Sequence, residues 1–381
     1  MALLGIASLG RQGDARGDEE LLYVGTYTDE KRAEGIYLVR FDTRTGALRQ
    51  VGTVNAGANP SFLAIHPNGR FLYAVNEVEE REGTKTGGVS TLAIDGDSGN
   101  LTTIGERASG GGAPCYVSVD RRGKAVFVAN YSGGSVAMLP IQGDGALGAA
   151  TAIDRHQGKV LGPNAERQEA PHAHCIVADP SNRFAFATDL GLDRVFVYRL
   201  GDDAATWAVM DDADAQLRPG AGPRHIAFHP TLPLLYVANE LDSTVTTVRF
   251  DRGGGSLSPI DAHSTLPAGW RGTSYAADIH VAPLGNALYV SNRGHNSIAV
   301  FSVAGDGALA LEQAIPTEGD WPRNFSLDPT GRWLLVGNQN SGSVIVLARD
   351  PKSGRLSSAG QRIELPSPVC IRFRAHVGVT T

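Results

Sequence analysis

Six stretches of this chain lie over one another: "NPSFLAIHPNGRFLYAVNE", "APCYVSVDRRGKAVFVANY", "AHCIVADPSNRFAFATDL", "GPRHIAFHPTLPLLYVANE", "AADIHVAPLGNALYVSNR" and "WPRNFSLDPTGRWLLVGNQ". Each reads as an apolar strand, a turn and a second apolar strand that ends on Asn76, Asn130, Asp189, Asn239, Asn292 or Asn338. The intervals between these residues are 54, 59, 50, 53 and 46. A third strand follows each unit, as in "GSVAMLPI", "TVTTVRF" and "SVIVLAR", and then a Gly/Asp/Ser turn and a weaker fourth strand. Four short strands cannot bury both faces of their own sheet, so such units stack on one another as the blades of a propeller. No segment with helical periodicity competes, and 47 glycines and 20 prolines suit a chain rich in turns.

The two chain ends supply a seventh unit. "PSPVCIRF" near the C-terminus is a first strand with no sequel, and "LLYVGTYT" near the N-terminus is a second strand with no predecessor. Pairing them in one blade closes the ring and removes an exposed sheet edge. The expected fold is an all-β, seven-bladed β-propeller spanning residues 21–376, with tails at 1–20 and 377–381.

Several function classes are disfavoured by composition. A net charge of −6 is unsuited to a phosphate backbone, so nucleic acid is not expected as a partner. No run is long enough to cross a bilayer as a helix. The apolar start "MALLGIASLG" has no basic residue before it, and the expected location is cytoplasmic. Cys115, Cys175 and Cys370 form no CxxC, so disulfides, zinc and attached haem are not expected, and the three read as small core residues. Oligomeric state is open.

The first strand of each blade lines the central channel, and the start of one strand lies beside the end of its antiparallel neighbour. Two columns therefore share one mouth. One holds Ser61, Cys115, His174, Arg224, Ala277, Arg323 and Val369; the other holds Tyr27, Glu77, Tyr131, Leu190, Glu240, Arg293 and Gln339. A purely structural repeat would fill each column with similar residues, whereas these differ and include bulky charges. Charges around a concavity are candidates for a binding site, and a self-satisfied polar lining is the alternative. His172 and His174 share a parity, but a zinc site needs a third ligand, for which His280 and His295 are poorly placed. Arginines at the mouth repel a divalent cation, so no metal is expected. His174 sits in the column itself and His172 in the incoming loop, which makes His174 the better base. His66 and His229 fill a turn slot that Asp179 and Asp328 fill elsewhere, His225 reads as a support for Arg224, and the Asn series reads as turn-closing.

These residues resemble those of the seven-bladed lactonase family that includes bacterial propeller-type 6-phosphogluconolactonases and fungal carboxy-muconate cyclising enzymes. The likeness covers about Leu21 to Phe373 and is carried by "YVGTYT", "GPNAERQEAPHAHCIVADP", "TDLGLDRV", "GPRHIAFHP", "YVANEL" and "SNRGHNSIAVF". It implies a catalytic set of His174 (with His172 possible), Arg224, Glu240 and Arg293, and no metal. The mouth columns add Glu77, Tyr131, Arg323 and Gln339, beside His172, as substrate-binding candidates, and no cofactor is expected. The chain departs mildly from the pattern at Cys175 and within 155–169.

Lactone hydrolysis requires a base for water and donors for the oxyanion, which a neutral histidine and arginines can supply. The function expected from the resemblance is opening of a sugar lactone, with 6-phosphogluconolactone as the first substrate and a small anionic lactone as the partner. A lactonising cycloisomerase and a non-enzymatic binding propeller are the alternatives.

Overall fold

The most apolar runs of the repeats become the second strands of seven antiparallel sheets. Phe71–Asn76, Ala125–Asn130, Phe184–Asp189 and Leu234–Asn239 are buried along their whole length. A central strand covered on both faces by neighbouring blades reads as a continuous apolar run rather than an alternating one. Outer strands such as Leu48–Val54 and Leu257–Ser264 are largely exposed, which explains their weaker sequence signal. The computed structural model describes residues 18–29, 33–159, 162–202 and 206–374.

The inner strands are Pro368–Phe373 (blade 1), Leu63–Ile65 (2), Pro114–Val119 (3), Ala173–Ala178 (4), Pro223–Phe228 (5), Tyr275–Val281 (6) and Pro322–Leu327 (7). Each inner strand contacts the next, and blade 7 contacts blade 1, so the circuit is closed. In blade 1 the C-terminal Pro368–Phe373 pairs with the N-terminal Glu19–Thr26, with Val24 opposite Ile371. The expected closure by both chain ends is therefore present, although the first strand begins two residues before Leu21. The expected tails lie almost wholly outside the described residues.

Two details differ from the sequence reading. The Asn series closes its own turns only in part: Asp189 Oδ1 accepts from Leu192 N at 3.0 Å and Asn239 Nδ2 donates to Thr244 and Thr246, but the other four also reach back along the chain. Asn76, Asn130, Asn292 and Asn338 donate through Nδ2 to Ala56, Ser109, Thr265 and Thr317, the carbonyls of segments arriving from the previous blade. Blade 4 has a split outer edge, where Trp207–Val209 and Ala215–Gln216 both pair with Arg194–Leu200 around a short 3-10 turn. By contrast, His66 and His229 stay in their turns, each accepting backbone N–H at Nδ1 and meeting a glycine carbonyl of the next blade at Nε2.

A β-bulge positions the channel mouth. In blades 1, 3, 4, 5 and 7 the pairing of first and second strands skips one residue: Val369, Cys115, His174, Arg224 and Arg323, respectively. Blade 6 skips both Ala277 and Asp278. A bulged residue is unpaired from the ladder and re-aimed, and these are the residues of the first mouth column.

Candidate active site

A cavity of about 300 Å³ occupies the mouth and is lined by Glu77, Cys115, Tyr131, Arg167, His174, Glu240, Tyr275, Arg293, Trp321 and Arg323. Its residues come from blades 2 to 7 and from the loop entering blade 4. A larger hollow of about 530 Å³ lies near blades 2 and 3, but its charged residues Glu79, Glu80, Lys85 and Arg155 are all exposed. It offers none of the desolvated charge that makes the mouth chemically distinctive.

Glu240, which follows the second strand of blade 5, organises one side of the cavity. Its Oε2 accepts from Arg224 Nε at 3.0 Å and meets Arg293 Nη2 at 2.8 Å; its Oε1 accepts from Arg167 Nη2 at 2.6 Å. Burial opposes its charge, but the guanidiniums of Arg293, Arg224 and Arg167 outweigh that and hold the carboxyl well below the usual range. Glu240 is thus a fixed anion. Arg293 is pulled down to about 10 by burial, with Glu240 opposing and Arg224 and Arg323 adding to the fall, and it stays charged at neutral pH.

His174 is 4% exposed, and its Nε2 stands 3.8 Å from Glu240 Oε2, beyond hydrogen-bond reach. Its Nδ1 meets Cys115 Sγ at 3.6 Å. Burial first, and then the charge of Arg224, drive its pKa well below 6.5 despite Glu240, so the imidazole is neutral. A second cluster stands on another wall. Tyr27 Oη donates to Glu77 at 2.9 Å and accepts from Arg323 Nη2 at 2.8 Å, while Ser61 Oγ also meets Glu77 Oε2. Desolvation pushes the Glu77 carboxyl up; Arg323, Ser61, Tyr27 and Arg224 offset this only in part.

An aromatic corner completes the pocket. The Arg293 guanidinium lies 5.5 Å from the Trp321 ring centre and 5.9 Å from that of Tyr275. Trp321 has φ +67, a left-handed conformation unusual for a bulky residue. It is held there by its N–H donating to Asn296 Oδ1 at 2.9 Å and its carbonyl accepting from Gln339 N at 3.0 Å.

Of the residues singled out from sequence, His174, Glu240, Arg293, Glu77, Tyr131 and Arg323 line the cavity. Arg224 lies against Glu240 just outside the lining, and its Nη1 reaches His225 Nε2 at 3.0 Å and the Ala277 carbonyl at 2.9 Å. Asp278 Oδ1 meets His225 Nδ1 at 2.8 Å, so His225 supports Arg224 as expected. His172 does not line the cavity. It stacks on the Tyr131 ring at 4.4 Å and contacts Glu169. Gln339 also stands back and steadies Trp321 through its backbone. Cys115, placed in the mouth column and also read as a small core residue, is buried and lines the cavity, because the bulge turns it inward. Arg167, Tyr275 and Trp321 were missed. All three lie outside the two mouth columns, although Arg167 falls within "GPNAERQEAPHAHCIVADP" and Trp321 opens the repeat stretch "WPRNFSLDPTGRWLLVGNQ".

A propeller with four guanidiniums, two carboxyls and a neutral histidine at one mouth is equipped to hold an anionic ligand and move a proton on it. The model of the family described as lactonase, 7-bladed beta-propeller, matches residues 21–373. The 6-phosphogluconolactonase of Bacillus subtilis is 38% identical over 356 residues, covering 93% of this chain and 98% of that protein. That of Formosa agariphila is 33% identical over 347 residues, covering 90% and 96%. Among solved structures, the periplasmic gluconolactonase of Pseudomonas aeruginosa is 36% identical with a TM-score of 0.85, covering 94% of this chain and 99% of that one. The chain belongs to the seven-bladed β-propeller lactonase family and is a lactone-hydrolysing enzyme.

Proposed function

We propose that the substrate is a phosphorylated sugar lactone, 6-phosphogluconolactone first, and that His174 is the general base. The observation that carries the substrate assignment is the charge of the mouth. Four guanidiniums (Arg167, Arg224, Arg293 and Arg323) face two carboxyls, Glu240 and Glu77, which leaves an excess of positive charge in a partly desolvated cavity. A dianionic substituent complements that excess better than a neutral sugar does.

In this reading water lies between His174 Nε2 and the lactone carbonyl. The neutral imidazole takes a proton as the oxygen attacks, and the fixed negative charge of Glu240 stabilises the imidazolium while it exists. Arginine N–H groups hold the developing oxyanion. Arg293 and Arg323 line the cavity and supply such donors in this reading.

Steady-state kinetics on 6-phosphogluconolactone and unphosphorylated gluconolactone test this. Wild-type protein should prefer the phosphorylated lactone, and Arg293→Ala should raise KM for it about 30- to 150-fold, the loss of one charge-assisted contact, with a smaller effect on the parent. Equal weakening of both substrates would remove Arg293 from phosphate recognition and leave the unphosphorylated lactone as the better assignment.

A further inference from the structure

Hydrolysis of an oxygen lactone needs a proton at two places. A base must relieve the attacking water, and an acid must meet the ring oxygen as the C–O bond breaks, because an alkoxide is a poor leaving group. His174 fills the first role in the function proposed above. The second is unfilled by Arg224, Arg293 and Glu240, since guanidiniums do not release protons at neutral pH and Glu240 is held ionised.

One other carboxyl lines the cavity. We propose that Glu77 is the general acid that protonates the ring oxygen of the lactone as it opens. Glu77, Cys115 and His174 line the same cavity, with Cys115 Sγ 3.6 Å from His174 Nδ1. Both share Arg224 and Arg323 as electrostatic neighbours. Glu77 is only partly buried, its remaining exposure belongs to a residue that lines the cavity, and Tyr27, Ser61 and Arg323 fix its rotamer. Two carboxyls in one cavity are thus placed in opposite surroundings. Glu240 touches three guanidiniums; Glu77 touches two hydroxyls, with Arg323 reaching it through the Tyr27 oxygen. Surroundings that push two carboxyls apart assign one to carry charge and the other to carry a proton.

The step balances as follows. Water loses a proton to His174 Nε2 and forms a C–O bond to the carbonyl carbon, giving a tetrahedral oxyanion. Collapse of that oxyanion breaks the bond to the ring oxygen, which takes the proton of Glu77. The imidazolium and the Glu77 carboxylate then return to their starting states by exchange with solvent, and the product acid ionises.

This inference rests on the lactonase reading, and a leaving-group comparison separates the two. The substrates are a sugar δ-lactone that the wild type opens and its thiolactone, in which sulfur replaces the ring oxygen. A thiolate leaves without a proton. Glu77→Gln, which keeps the shape and one of the two acceptor oxygens, is expected to lower kcat/KM at least about 100-fold on the oxygen lactone and less than about five-fold on the thiolactone. Equal losses on both, or no loss on the oxygen lactone, overturn the proposal and leave the lactonase reading intact. Failure of the wild type to open any sugar lactone would instead sink that reading. The pH profile of the wild type decides the matter even if the variant does not fold. The rate on the oxygen lactone should fall as pH rises through the elevated pKa of Glu77, because the acid form is the active one. A profile without that limb, or the same limb on the thiolactone, refutes an acid role.

Discussion

Replacing Glu240 by glutamine removes one charge from a site where three guanidiniums depend on it. The amide oxygen can still accept from one or two of them, but its NH2 group must face another. At least one of the contacts now at 2.6, 2.8 and 3.0 Å becomes donor against donor. Charge-assisted hydrogen bonds contribute about 1.5–3 kcal/mol each, and removing one partner of a buried pair costs about 3–5 kcal/mol. The expected loss for Glu240→Gln is therefore about 3–5 kcal/mol, read as a lower midpoint in urea with unchanged slope. An internal control is Glu364→Gln. Arg362 lies 2.5 Å from Glu364, closer than any arginine to Glu240, yet both side chains are exposed, 41% and 68%. That pair should contribute less than about 1 kcal/mol, since solvent screens it. Inorganic phosphate should restore more stability to Glu240→Gln than to the parent, because an anion can occupy the uncompensated positive site. A Glu240→Gln protein that unfolds at the parental urea concentration would refute the premise that this carboxylate is ionised and holds the arginines.

Four further outcomes are expected. His174→Gln should lower kcat about 100- to 10,000-fold with little change in KM, measured by steady-state kinetics on the best lactone. Activity should survive exhaustive chelation, and its loss followed by recovery on added zinc or calcium would require His172 and His174 to be reread as ligands. Ile371→Ala, at a fully buried position of the closing strand, should cost about 2–5 kcal/mol by urea unfolding, against near zero for Ile104→Ala at 42% exposure. His225 is lowered to about 3, chiefly by burial and Arg224, so the unfolded chain binds its proton first; stability should fall as pH drops below about 6.5, at up to about 1.4 kcal/mol per pH unit from this group, and His225→Gln should flatten the slope.

The ring and its closure were legible because they rest on apolar period and turn chemistry, which repeat seven times. The mouth was legible for a related reason. A repeat aligns positions, and a column in which His174, Arg224 and Arg323 replace one another cannot be serving the blade. Legibility stopped beyond the two mouth columns. Arg167 belongs to the loop before blade 4, and Trp321 owes its place to a left-handed backbone conformation that its own residue type disfavours. Cys115 was placed at the mouth by its column but read as core by its residue type. It lies in an apolar stretch, and only the skipped pairing between Pro114 and Tyr116 turns it into the cavity. The Asn series was read by its usual local habit, which Asp189 and Asn239 keep, whereas Asn76, Asn130, Asn292 and Asn338 also reach back 20 to 27 residues to the arriving chain.

The skipped pairing has a wider consequence. A residue that the ladder skips is released from the alternation that fixes its neighbours, even where its side chain also reaches the adjoining blade, as Arg224 does to the Ala277 carbonyl. Blade after blade, the fold sets aside such a position, and the turns of the ring bring them together at one opening. Framework and chemistry are thereby written in different letters of the same sequence. Exchange of Cys115, His174, Arg224 or Arg323 alters what the mouth can recognise while the sheets keep their pairing. A lineage built on this ring can therefore move from one lactone to another by altering a few letters, with no new fold to invent.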